Sequence, residues 1–153
     1  MQPLDPNEEW LIGEWIRKAE VDLMAARRIQ TEYPLREIVA FHCQQAAEKY
    51  LKALLTRFRI DFPKTHDIEK LLHLAAPVNP SVIETIFPAK WLGPFAVEIR
   101  YPGDTPDVLP GDETKAVALA TQVRDAVVSL LSSPSTPVSS PSHIDRSKSN
   151  DLK

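Results

Sequence analysis

Apolar residues recur along most of this chain at the spacing of amphipathic helices. The pattern predicts a first helix from Asn7 to Gln30 and a second from Leu35 to Phe58, because Pro34 separates the two apolar repeats. A short third helix is predicted from Asp67 to Ala75, with Thr65 as its N-cap. The second helix has the widest apolar arc, which predicts that it lies at the centre of the fold.

The second half of the chain is interrupted by proline and glycine. Asn79 followed by Pro80 is a start signal for a fourth helical segment, and a broken helix is expected around residues 95–99. An exposed loop is predicted from Tyr101 to Gly111, and a last helix from Asp112 to Leu131. No strand pattern appears. The predicted fold class is therefore all-α, an antiparallel, up-and-down bundle of four to five helices.

The composition changes after the last helix, where Ser, Pro, Thr and isolated charges replace the apolar repeat. This change predicts one domain over residues 1–132 and a disordered Ser/Pro-rich C-terminal tail over residues 133–153. No apolar run approaches the roughly 18 residues that a membrane-spanning helix needs, and the N-terminus does not resemble a signal peptide. We therefore expect no membrane association and a cytoplasmic location.

Charge and composition exclude several classes of function. The net charge of -3 argues against a protein that holds nucleic acid by charge alone. With only four glycines and no glycine-rich phosphate loop, a mononucleotide-binding fold is not indicated, and the four histidines lack a metal-ligand spacing. We expect no metal site and no cofactor. The single cysteine, Cys43, is interpreted as a small core residue.

Polar residues form a stripe on the second helix, where Gln44, Glu48 and Lys52 follow one another at four-residue intervals. This spacing puts them on one face and allows Glu48 to pair with Lys52. Spacing alone favours the ordinary interpretation, a solvent-exposed face that stabilises the helix. The alternative is that the face lines a groove in which Lys52 meets a phosphate and Gln44 hydrogen-bonds a base or sugar.

Four segments together resemble the HEPN domain, the "higher eukaryotes and prokaryotes nucleotide-binding" domain, over roughly Trp15 to Leu131. They are Ala19–Leu23, Phe41–Leu55, Lys64–Asp67 with the leucines that follow it, and Ala96–Pro102. The resemblance implies a helical bundle that is commonly a homodimer. It also implies a partner, because such domains are often encoded beside a small nucleotidyltransferase with which they form a complex resembling a toxin–antitoxin pair. Members of the family include RNA-cleaving toxins and proteins with no established activity.

The ribonuclease members carry an arginine followed after about four to six residues by a histidine, near the last helix. This chain departs from that pattern, because after Arg100 the next histidine is His143 in the predicted tail. Two pairs elsewhere have a suitable spacing, which chance alone would produce: Arg36 with His42, and Arg59 with His66. The missing motif weighs against enzymatic activity without deciding the question.

The candidate catalytic residues are His66, Arg100 and Tyr101, since histidine and arginine can cleave RNA without a metal. The candidate nucleotide-binding residues are Gln44, Lys52, Lys64, His66 and Arg100. A structural alternative is that His66 helps to cap the third helix and that Arg100 fixes a loop. The leading hypothesis is a dimeric nucleotide- or RNA-associated binding module that partners a nucleotidyltransferase. The alternatives are a metal-independent ribonuclease toxin and a purely structural dimerising scaffold.

Overall fold

The computed structural model describes residues 2–32, 35–96 and 107–133. The regular structure in these ranges is entirely helical, which confirms the predicted all-α class. The elements are α1 (Pro6–Glu32), α2 (Arg36–Arg57), α3 (Ile68–Ala75), α4 (Pro80–Ile86), a 3₁₀ helix (Phe87–Phe95) and α5 (Asp112–Ser132). The tail predicted beyond Ser133, the segment 97–99 and most of the loop predicted from Tyr101 lie outside the described residues.

The helix starts are fixed by side-chain caps. Asp5 accepts backbone hydrogen bonds at the start of α1. Asn79 does the same for α4, as its position before Pro80 predicted. The prediction that Thr65 caps α3 is wrong. Asp67 is the N-cap and accepts from the backbone N–H of Lys70 (3.1 Å), while the Thr65 hydroxyl accepts from the N–H of Asp67 itself.

Contacts between the long helices define their directions. Gln30 near the end of α1 bonds Thr114 at the start of α5 (3.2 Å), whereas Glu20 in the middle of α1 pairs with Arg124 farther along α5 (2.8 Å). α1 and α5 are therefore antiparallel. α1 is also antiparallel to α2, because Glu8 at the start of α1 pairs with Arg59, just after the end of α2 (2.7 Å).

α2 and α5 run in the same direction, since Arg36 at the start of α2 lies 3.4 Å from Glu113 at the start of α5. A parallel pair needs a crossover connection, and α3, α4 and the 3₁₀ helix supply it. The crossover packs along α2, so the segment between Phe58 and α3 lies beside that helix. This placement positions the site described below.

α2 is the central helix, as predicted, with more than half of its residues buried. Its apolar side packs against α1, α5 and the crossover in one continuous core. A smaller arc of α2 remains partly exposed, and it carries Phe41, His42, Gln45 and Lys49. Within the described ranges, no helix combines the length and apolar character needed to cross a bilayer.

Candidate functional site

The polar stripe of α2 is buried, so the interpretation as a solvent-exposed face is wrong. Gln44, Glu48 and Lys52 are only 0%, 3% and 7% exposed. The side chains of Trp15 on α1 and Phe62 after α2 cover the end of the stripe, with Lys52 Nζ 5.3 Å and 5.9 Å from the two ring centroids. The sequence did not reveal this cover, because both aromatic residues are distant from the stripe along the chain.

The buried charges of the stripe form a closed network around Glu48. Lys52 Nζ donates to Oε1 of Glu48 (2.7 Å), and Gln44 Nε2 donates to Oε2 (3.0 Å). Nδ1 of His66 lies 3.0 Å from the same Oε2. Burial by itself raises the pKa of Glu48, but the bonds from these three partners outweigh it and hold the pKa below its usual value. Glu48 is therefore an ionised carboxylate that can only accept, and Nδ1 of His66 is a donor to it.

His66 is the exposed member of this network. Its side chain is 66% exposed, whereas that of Glu48 is 4% exposed. Its position is fixed twice, because its backbone carbonyl also accepts from Gln44 Nε2 (3.1 Å). The alternative in which His66 caps α3 is not observed, since Asp67 has that role and the imidazole contacts α2 instead. With Nδ1 held by Glu48, Nε2 is the ring nitrogen left for a ligand.

The other predicted site residues divide into three groups. Gln44 and Lys52 are buried beneath His66: Gln44 donates to its backbone carbonyl, and Lys52 donates to Glu48, which binds the imidazole. Lys64 is exposed and stands two residues before His66 in the same connection. Arg100 and Tyr101 lie outside the described residues. Glu48, the hub of the network, was noticed in the sequence only as the partner of Lys52, and its i, i+4 spacing was the available signal.

A second network joins α1 to α2. Nδ1 of His42 lies 2.9 Å from Oδ1 of Asp22, and Lys49 Nζ donates to Oδ2 of the same carboxylate. Burial raises the pKa of Asp22, but the bonds from His42 and Lys49 outweigh it and keep the pKa low. Asp22 belongs to the Ala19–Leu23 segment that resembles the family, but its role as an anchor was not predicted, because its partners lie on another helix.

Neither arginine–histidine pair with suitable spacing forms a unit. Arg36 pairs with Glu113 on α5, while His42 binds Asp22. Arg59 binds Glu8 and backbone carbonyls at the N-terminus, while His66 binds Glu48. In each pair the arginine and the histidine therefore bind different partners and do not form one site.

Cys43 lies in the core, as predicted. It is fully buried on α2, and burial raises the pKa of its thiol to about 12. A thiol with that pKa is protonated at neutral pH and is a poor nucleophile. Among the described residues, no three His, Cys, Asp or Glu side chains are grouped so that they could hold a metal ion.

The class of protein defined here is a helical bundle whose central helix carries buried ionised side chains beneath a surface histidine. The family model of the HEPN domain matches residues 12–130, and the chain belongs to the HEPN family. This match confirms the resemblance inferred from the sequence. No curated protein and no solved structure is similar enough to the chain to be matched to it.

Proposed function

We propose that this HEPN domain is a nucleotide- or RNA-associated binding module whose ligand phosphate contacts His66. The observation that carries the proposal is the exposed imidazole of His66, anchored through Nδ1 on the buried carboxylate of Glu48. Holding a surface histidine in this way requires that a glutamate and a lysine be buried, and a histidine without a function would not require it. Burying each of those charges costs several kcal/mol before their mutual attraction is counted.

The charges around His66 suit an anionic ligand. Lys52 neutralises Glu48 inside the protein, so the carboxylate does not repel an anion at the surface. Exposed Lys64 adds a positive charge close along the chain. When protonated, His66 donates from Nε2 to a phosphate oxygen, and such charge-assisted hydrogen bonds are the stronger kind. In this proposal Gln44 and Lys52 position His66 instead of touching the ligand, and Arg100 remains a further candidate contact.

The chain offers a matched control for testing this role. His73 on α3 is as exposed as His66, at 67%, but the carboxylate beside it is that of the half-exposed Glu69, at 4.0 Å. Binding of a fluorescein-labelled RNA and of a mononucleotide should be measured for the wild type and for His66→Ala and His73→Ala. We expect about tenfold weaker binding for His66→Ala only. Equal binding by all three proteins would rule out His66 as the contact.

A metal-independent ribonuclease is the second candidate, and the anchored imidazole favours it. In such a reaction a base takes the proton of the ribose 2′-hydroxyl, and the 2′-oxygen bonds to phosphorus. The 5′-oxygen leaves and takes a proton from an acid, giving a 2′,3′-cyclic phosphate. A histidine oriented by a carboxylate can serve as that base. RNA cleavage by the purified protein in EDTA, abolished in His66→Ala, would establish this activity. Absence of cleavage leaves the binding role.

We also propose that the domain forms a homodimer and partners a small nucleotidyltransferase in a toxin–antitoxin-like complex. Support for the dimer comes from α1, where Val21 and Met24 are 51% and 64% exposed beside Ala25. The mass in solution measured by light scattering tests the dimer, and Met24→Glu should shift it toward the monomer. Co-purification with a nucleotidyltransferase encoded next to it tests the partner. A dimer that binds no nucleotide or RNA would support the scaffold hypothesis instead.

A further inference from the structure

The second carboxylate–imidazole pair repeats the design of the first. His42 is held through Nδ1 by Asp22, with side chains 26% and 12% exposed, just as His66 is held through Nδ1 by Glu48. In both networks a lysine neutralises the carboxylate: Lys49 binds Asp22 and Lys52 binds Glu48. Each imidazole therefore keeps Nε2 for a ligand, and neither carboxylate leaves an excess negative charge beside it.

The two pairs border one surface of α2. His42, Gln45 and Lys49 are spaced i, i+3 and i+7, so they share a face, and all three are partly exposed in a helix whose other central residues are mostly buried. We call these three residues the α2 strip. Asp22 of α1 flanks the strip on one side. On the other side the Gln45 amide donates to Gln44 (2.7 Å), which binds the backbone of His66.

The distance along α2 indicates how many ligand groups the surface can hold. His42 and Glu48, the anchor of His66, are six positions apart on α2, which corresponds to about 9 Å along the helix axis and about 120° around it. Because each imidazole is tethered by its own carboxylate, the two cannot both turn toward one phosphate without giving up an Nδ1 bond. Two phosphates of one chain therefore fit two separately tethered imidazoles better than a single phosphate does.

We propose that the α2 strip is a second phosphate subsite, so that the domain binds the backbone of single-stranded RNA along α2 between His66 and His42. This inference rests on the proposed function of His66. Because Lys49 neutralises Asp22, the carboxylate beside the strip does not repel a phosphate. Phe41 is partly exposed, and its ring contacts that of His42 edge to face with centroids 5.4 Å apart. An aromatic side chain therefore lies beside the strip, where a base can stack on it. A strip of this kind recognises the phosphates of the RNA and the stacking of its bases, and it does not distinguish one base sequence from another.

The test compares a mononucleotide with a hexanucleotide whose sugars are 2′-O-methylated, so that cleavage does not interfere. The wild type should bind the hexanucleotide about tenfold more tightly, because the longer ligand reaches both subsites. His42→Asn keeps a side-chain N–H for Asp22 and removes the far edge of the ring. In this variant hexanucleotide binding should fall to the level of the mononucleotide, and mononucleotide binding should stay unchanged.

His66→Asn provides the comparison that separates the two proposals. It should weaken binding of both ligands, because His66 contacts a phosphate in either case. If His66→Asn weakens both ligands and His42→Asn weakens neither, the second subsite is wrong and the proposed function stands. If neither substitution changes the affinity for either ligand, the proposed function itself is wrong.

A measurement on the wild type avoids any dependence on the stability of the variants. The NMR signal of the His42 ring should move when the hexanucleotide is added and should stay in place with the mononucleotide, whereas the His66 signal should move with both. An unmoved His42 signal at saturating hexanucleotide would overturn the second subsite. An acidic peptide that moves both signals and binds more tightly than the hexanucleotide would overturn RNA as the ligand.

Discussion

The ammonium group of Lys52 lies 2.7 Å from a carboxylate oxygen of Glu48 where the two side chains are only 9% and 4% exposed. Such a pair is stabilising relative to one lone buried charge, but its desolvation offsets much of its attraction. The same carboxylate also accepts from Gln44 and His66, so its lone pairs are used on both oxygens. The net contribution of the pair to folding stability is therefore small, and its main effect is to hold Glu48 in the position where it binds His66.

Removal of one partner of this buried pair should destabilise the protein strongly. Glu48→Gln leaves Lys52 charged and unpaired in the interior, and we expect the free energy of unfolding to fall by about 3 kcal/mol. The control is Glu32→Gln, which breaks an i, i+4 pair with Arg28 whose side chains are 54% and 77% exposed. That change should cost no more than about 0.5 kcal/mol. Urea denaturation of both variants measures the difference, and equal losses would contradict the role of burial.

Replacement of both partners should be less damaging than the single changes suggest. In the double variant Glu48→Leu with Lys52→Met, no lone ionised side chain of the pair remains in the interior. We expect the double variant to be more stable than the sum of the single changes by about 2 kcal/mol. The same urea titrations, arranged as a double-mutant cycle, measure this coupling energy. Additive losses would mean that the two side chains do not interact in solution.

Acid should destabilise the protein through Glu48. Its pKa is lowered in the folded protein from an ordinary value of 4.5, so the unfolded chain binds more protons as the pH falls through this range. The stabilisation is complete above pH 4.5 and is lost as the pH drops from there through the folded-state pKa. Thermal unfolding of the wild type and Glu48→Gln at a series of acidic pH values tests this. The variant should lose less stability on acidification, and parallel curves would contradict the assignment.

The thiol of Cys43 should be unreactive in the folded protein. Burial raises its pKa to about 12, and its side chain is inaccessible. A thiol reagent such as DTNB should therefore label the native protein no faster than local unfolding exposes Cys43. In denaturant the labelling should be rapid. Labelling at the rate of a free thiol under native conditions would show that α2 is less protected than the structure indicates.

Arg59 combines a left-handed backbone conformation, with φ of 54°, with bonds from its guanidinium to Glu8 and to the carbonyl of Pro3. Both Arg59→Ala and Arg59→Gly remove the side-chain bonds, but only glycine relieves the backbone strain. We expect Arg59→Gly to be the more stable variant of the two in thermal unfolding. A more stable alanine variant would show that the backbone changes conformation once the side chain is gone.

Several parts of the fold follow from local sequence signals. The apolar repeats located α1, α2 and α5, and the Asn79–Pro80 signal located α4, because periodicity and caps depend on neighbours within one helix. The prediction that Thr65 caps α3 was wrong, since Asp67 can also accept backbone hydrogen bonds and only the path of the connection selects one of the two.

The polar stripe marks the limit of such inference. Periodicity showed that Gln44, Glu48 and Lys52 share a face of α2, but not which face meets solvent. Burial of a polar face depends on residues that are distant in sequence, here Trp15 and Phe62. A pattern with a four-residue period is the same whether the face is covered or open, so propensity alone favoured the more common exposed case.

The sequence by itself determined the helical class, the approximate helix bounds, the burial of Cys43 and the membership of the HEPN family, because each depends on local patterns or on the order of short segments. Only the tertiary structure decided that Glu48 holds His66 and that Asp22 holds His42. These contacts join residues about twenty positions apart. They form only when the crossover and α1 pack against α2, and no repeat along the chain encodes that packing.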